Sequence, residues 1–172
     1  MLKFYLKIIL LLAFTSNAKA QNHQFALETG YNRIGVFFNP NIGIDIQNHQ
    51  IHFGLKTYGY NLFFKSAVIG PQIGYQYQFK AIHDKVYFYP AISFTAYREE
   101  KSSSNLLLSE VNLKYGLGVR ISKNIAIINE LGVGYIMSNS NLYNQQITVK
   151  SAYPSFEISI GLVFHLDRTA SM

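Results

Sequence analysis

Five acids and three bases fall on one alternating face of this chain: Glu28, Asp45, Glu110, Glu130 and Glu157, with Lys56, Lys114 and Arg120. Carboxylates held close together can divide the roles of general acid and general base. A narrow, low-dielectric space imposes a stronger demand. An isolated buried charge there costs several kcal/mol, so acids and bases must pair or be hydrogen-bonded. The expected role of these eight residues is a structural ion-pair network. The five histidines are His23, His49, His52, His83 and His165. None has H-x-x-x-H or HExxH spacing, so no metal site is signalled. Gly116-x-Gly118 and Gly132-x-Gly134 do not extend to GxGxxG. Cysteine is absent, which removes disulfides and thiol nucleophiles. No catalytic, cofactor-binding or metal-binding residue is assigned, and no cofactor is expected.

The elements that position these charges follow from a side-chain period of two. In residues 69–79, Ile69, Ile73, Tyr75, Tyr77 and Phe79 alternate with Gly70, Gln72, Gly74, Gln76 and Gln78. Such alternation is a strand with one greasy face and one small, polar face. Eight segments show it, over about 24–32, 34–47, 51–58, 67–80, 86–97, 110–121, 125–137 and 152–166. In the sixth, Leu117 belongs to the apolar face and Gly118 to the polar one, so Gly118→Ser should be mild. Asn39-Pro40-Asn41 interrupts the second segment, as a bulge or as the true first loop. Asn48-His49-Gln50, residues 81–85 and 122–124 read as short turns. Residues 59–65, 98–107 and 138–151 read as longer loops rich in Ser, Asn and Lys.

The first twenty residues read as an export signal. Lys3 and Lys7 precede an apolar run over 8–14, and Ala18-Lys19-Ala20 fits a cleavage site. The mature chain is therefore expected to start at Gln21, as one domain over 21–172. The formal charge of +6 falls to +3 once Lys3, Lys7 and Lys19 leave. That weak excess has no basic run, so nucleic acid is not an expected partner.

Charged residues make up 14% of the chain, against about 25% in ordinary soluble domains. After the signal, no apolar stretch is long enough for a spanning helix. Strands of this length suit an eight-stranded antiparallel transmembrane up-and-down β-barrel. A soluble barrel should show Lys and Glu to water. Here the polar face is mostly Gly, Ser, Asn and Gln, which suits a narrow lumen. Tyr58, Tyr60, residues 75–79 and 87–89, Tyr97, Tyr153 and Phe164 are expected to form aromatic girdles at the membrane interfaces.

On signal, strand count, size and alternation, the chain resembles the small eight-stranded outer-membrane barrels of the OmpX, OmpW and OmpA-domain type. The resemblance covers the whole mature chain and rests on no residue motif. It implies a cell outer membrane location, and the alternation of short turns and longer loops in an even-stranded barrel puts both termini on the periplasmic side. Lipid and the barrel assembly machinery are the implied partners, and a monomer is expected. Such barrels commonly end on an aromatic residue. Here residues 167–172 trail beyond Phe164-His165-Leu166, so either the insertion signal is internal or that part of the analogy fails. Residues 130–141 also resemble the late-strand region of outer-membrane lipid A deacylases, which carry His-x-Ser-Asn. Ser138-Asn139 matches, but Ile136 stands where the base should be, so Ser138 lacks its activator. The expected function is a non-enzymatic structural, surface-binding or adhesion role. The alternatives are a deacylase-like lipid-modifying enzyme and a soluble exported ligand-binding barrel.

Overall fold

The computed structural model describes residues 22–59, 67–79, 85–101, 104–142 and 147–166. The export signal, Gln21, Tyr60, His83 and the tail over 167–172 lie outside them, as do most of the expected connections over 59–65 and 81–85. The described chain forms eight strands: β1 (Asn22–Asn32), β2 (Val36–Ile46), β3 (His49–Tyr58), β4 (Val68–Tyr77), β5 (Val86–Lys101), β6 (Ser104–Arg120), β7 (Ile125–Leu142) and β8 (Ile147–Leu166). Each pairs antiparallel with its neighbour, and β8 pairs back onto β1 to close a barrel. Followed across the pairs from Asn32 through Glu157, Gly132, Lys114, Ala91, Gln76, Gln50 and Asp45, the register returns to β1 at Asn22, ten residues lower. That stagger is what tilts the strands and lets the sheet close.

Closure turns the two faces into an inside and an outside. Along β4, Val68, Gly70, Gln72, Gly74 and Gln76 are buried, while Ile69, Pro71, Ile73 and Tyr75 are exposed. The same parity holds round the wall. Exposed Ile42, Phe53, Phe94, Leu131 and Ile160 face out, and buried Glu28, Lys56, Asn112 and Glu157 face in. This inverts a soluble barrel, whose apolar side chains fill the interior. A continuous apolar outer surface is unfavourable in water and favourable in lipid.

Several connections differ from the sequence reading. Asn39-Pro40-Asn41 is neither loop nor bulge but the middle of β2, with Pro40 opposite Leu27. Pairing with β3 lapses between Phe38↔Thr57 and Asn41↔Gly54, then resumes in the same register. Proline has no N–H to donate, so the ladder is interrupted there without adding a residue. The next turn is Gln47-Asn48, with His49 and Gln50 already in β3. Gln47 takes φ 60°, as tight primed hairpins require of a central residue.

The largest difference concerns the expected loops over 98–107 and 138–151. In both, the described residues are strand. β5 and β6 stay paired up to Lys101↔Ser104, and β7 and β8 up to Leu142↔Ile147. The β1–β8 ladder stops earlier, at Asn32↔Glu157. Residues 147–156 of β8 therefore have a ladder on the β7 side alone. β5 to β8 rise as a wall above the end opposite the termini, here called the distal end. The end where β1 begins and β8 stops is the terminal end.

Candidate functional site

The charged face forms one connected cluster inside the barrel. Lys56 lies on β3, and its ammonium donates to Glu110 Oε2 on β6 at 3.1 Å and to Glu157 Oε2 on β8 at 2.5 Å. It also sits 4.1 Å from the centre of the Phe37 ring. Lys114 on β6 pairs with Glu157 Oε1 at 2.7 Å and with Glu130 Oε2 at 3.0 Å. Glu157 thus joins the two lysines. Both lysines and all three of these acids are buried.

Neutral donors complete the cluster. Asn32 Nδ2 donates to Glu110 at 2.6 Å, and the hydroxyls of Tyr97 and Tyr58 do so at 3.0 and 3.3 Å. Glu130 accepts from the Tyr89 hydroxyl at 3.0 Å and from the Ser159 hydroxyl at 3.2 Å. Glu28 accepts from Asn41 at 2.6 Å and from Asn39 at 3.2 Å. The four buried glutamates thus outnumber the two lysines, and amide and hydroxyl donors hold the excess. Most of the strands contribute, so the bonds cross the lumen or a strand interface and brace the wall.

Two residues expected in this network sit elsewhere. Asp45 is half-buried towards the terminal end, where Gln24 and Gln50 donate to it at 2.5 and 2.7 Å. Arg120 is exposed at the terminal mouth, with its guanidinium 5.5 Å from the centre of the Tyr87 ring. It closes β6 rather than filling the lumen.

The girdle reading also needs correction. Tyr58, Tyr87, Tyr89 and Tyr97 are buried inside the barrel. Their own strand parity could have shown this, since each shares the polar face of its strand. Outward aromatics lie towards both ends, with Tyr31, Phe38, Tyr135 and Phe156 near the distal end and a second group near the terminal end. His49 Nδ1 lies 2.6 Å from the Tyr75 hydroxyl, and Phe25 stacks on Phe164 and Phe88 on Tyr115.

The inward rings close both ends of the polar cluster. Ile34, Phe37, Tyr58, Val68, Tyr97, Leu108 and Ile136 pack together above it. Below it, Tyr87 and Tyr89 pack with Ala26, Ala91, Ala126, Ile128 and Val163. Beside the lower layer is a cavity of about 20 Å³, lined by Glu28, His52, Gln76 and Tyr87 among others. That is room for about one water molecule. Between Glu110 and Glu157 stand the Lys56 ammonium and the Asn112 amide, which donate to both carboxylates.

Known structures share this architecture. A designed transmembrane β-barrel superposes with a TM-score of 0.59 at 13% identity, covering 87% of this chain and 98% of that one. The N-terminal β-barrel domain of Pseudomonas aeruginosa OprF gives 0.58 at 10% identity, covering 84% and 97%. A major outer membrane protein from Thermus thermophilus gives 0.52 at 9% identity, covering 86% and 100%. No family model matches the chain, and no curated protein is similar enough in sequence to match. The apolar outer wall and this shared fold decide the architecture. The protein is a closed eight-stranded antiparallel β-barrel with the apolar outer wall of a transmembrane barrel. At these identities the likeness is one of fold, and a designed protein among the matches carries no natural role to transfer.

Two expectations follow for the barrel. With an apolar layer at each end of its polar cluster, it should give no stable conductance in planar bilayers. Large, reproducible steps that vanish on heat denaturation would show that a layer opens. The second concerns Gly116 and Gly118. A Cβ on either would collide with the Cζ of Tyr89 or Tyr87 respectively. At Gly118 the Tyr87 ring must shift to admit a Cβ, a cost that the sequence reading of Gly118→Ser as mild leaves out. Tyr89 is further held by Glu130, so its ring cannot swing aside without breaking that bond. Gly116→Ser should cost about 1–3 kcal/mol by overpacking, read as a lower urea midpoint for barrel unfolding in vesicles.

Ser138 and Asn139 lie on the wall, where Ser138 pairs with Leu108 and Ser151. Ile136, in the place of the deacylase base, is fully buried within the upper apolar layer.

Proposed function

We propose that this outer-membrane barrel is non-enzymatic and works as a surface-binding protein through the β5–β8 wall. The observation that carries this reading is the β8 ladder. Residues 147–156 continue past the last β1 pair, so the wall presents a strand edge beyond the closed part of the barrel. A strand edge recruits an extended segment of a partner by backbone hydrogen bonds, with side-chain pockets setting specificity. Beside it, Leu107, Met137, Ser138, Lys150 and Ala152 line a groove of about 460 Å³. The sealed lumen supports a role outside the barrel rather than through it. With both termini periplasmic, as the alternation of short and long connections in an even-stranded barrel implies, this wall would stand on the cell surface.

The test replaces residues 139–150 by a two-residue turn and compares cells carrying either form for attachment to other cells and to coated surfaces. The shortened barrel should still migrate faster unboiled than boiled, while attachment falls to the level of cells without the protein. Unchanged attachment by a folded, shortened barrel would leave a purely structural role. Release of fatty acid from lipid A by the purified barrel would favour the enzyme alternative.

A further inference from the structure

A second concave surface lies on the lipid-facing side, across β1, β8, β7 and β6. Its volume is about 810 Å³, within the roughly 300–1,000 Å³ typical of ligand sites. Its floor follows the line of pairs Asn32, Glu157, Gly132 and Lys114, whose side chains turn inward or, at Gly132, are absent. Phe156, Val133 and Leu113 form one bank, and Ile158, Leu131 and Tyr115 the other. The strands are tilted, so this line slopes. It begins at the distal end of β1 and descends to the middle of β6.

Arg33 stands at the upper mouth, in the turn between β1 and β2. Its Nη1 donates to the Pro154 carbonyl at 3.4 Å, and its guanidinium lies 5.0 Å from the centre of the Tyr153 ring. These contacts hold the cation in place but leave it exposed. Among the described residues no carboxylate pairs with it. An apolar trough thus runs down the membrane-facing wall from an unneutralised, oriented guanidinium at the rim. Guanidinium binds phosphate through paired, charge-assisted hydrogen bonds. The rim of a bilayer leaflet is made of headgroups, and the slope leads from headgroup depth to chain depth.

We propose that this trough is a binding site for one phosphate-bearing, anionic membrane lipid, its phosphate on Arg33 and an acyl chain along the Val133–Leu131 channel. The site shares Pro154 and Phe156 with the lower end of the β8 edge, but its occupant is a lipid and not the wall's partner. Its test does not depend on the wall's partner.

Native mass spectrometry of the detergent-solubilised barrel provides that test, with dimyristoylphosphatidylglycerol and dimyristoylphosphatidylcholine as probes. The folded barrel should retain one phosphatidylglycerol in preference to phosphatidylcholine. Arg33→Gln should cut that retention roughly tenfold, the scale of one charge-assisted phosphate contact. Val133→Phe, which narrows the trough from the lipid side and leaves Arg33 intact, should also reduce it. Heat-modifiable migration checks that each variant is folded. Wild-type retention by either variant would overturn the proposal, as would equal retention of the two lipids. Equal retention of a dihexanoyl lipid would place the contact at the headgroup alone and overturn the trough.

Discussion

Lys56→Met should lower the barrel's unfolding free energy by about 3–5 kcal/mol, the cost of leaving buried charge without its partner. Lys56 is fully buried and is the ammonium that bridges Glu110 and Glu157. Methionine fills much of the same volume, so the loss is one of charge rather than packing. Glu157 keeps Lys114, but Glu110 is left with neutral donors only. Adding Glu110→Gln to the Met variant should therefore recover part of the loss, because the orphaned charge goes with it. Urea unfolding in lipid vesicles, followed by the unboiled-to-boiled band shift, measures both. If Lys56→Met is as stable as wild type, water reaches the cluster and the two apolar layers do not seal it.

Leu113→Arg should cost about 2–4 kcal/mol, the penalty for a lipid-facing arginine near the bilayer midplane. Leu113 is exposed on the outer wall, midway along β6. Leu117 faces out as its parity requires, but it lies close to the terminal end of that strand at Arg120. Ile121 stands beyond the strand and is exposed. The same change at Leu117 should cost less than at Leu113. At Ile121 it should cost about 0–1 kcal/mol, as near an interface. Folding titrations of the three variants in vesicles would give this order. Equal, negligible costs at all three positions would mean that the outer wall meets water.

Much of the architecture was legible because side-chain direction in a strand is local. Ile69, Ile73 and Tyr75 face out, and Gly70, Gln72 and Gln76 face in, as alternation alone required. The same argument placed Glu28, Lys56, Glu110, Lys114, Glu130 and Glu157 in one interior. Polarity on the wrong side for a soluble barrel then distinguished lipid from water as the outer solvent.

Pairing is not local, and there the sequence was silent or misleading. Lys56 meets Glu157 across 101 residues, and nothing near either names the other. Pro40 looks like a breaker, yet its neighbours on β1 and β3 hold it in a strand whose ladder is only briefly interrupted. The Ser- and Asn-rich stretches over 98–107 and 138–151 look like loops by composition. Their described residues are strand because a hairpin partner satisfies their backbone groups, whatever their side chains prefer. The sequence by itself thus determined the faces, the strand number and six of the eight charges it assigned to the lumen, Asp45 and Arg120 being the exceptions. Only the closed barrel decided which charges meet, where the wall rises and where Arg33 stands above a trough, because each depends on which strand lies beside which.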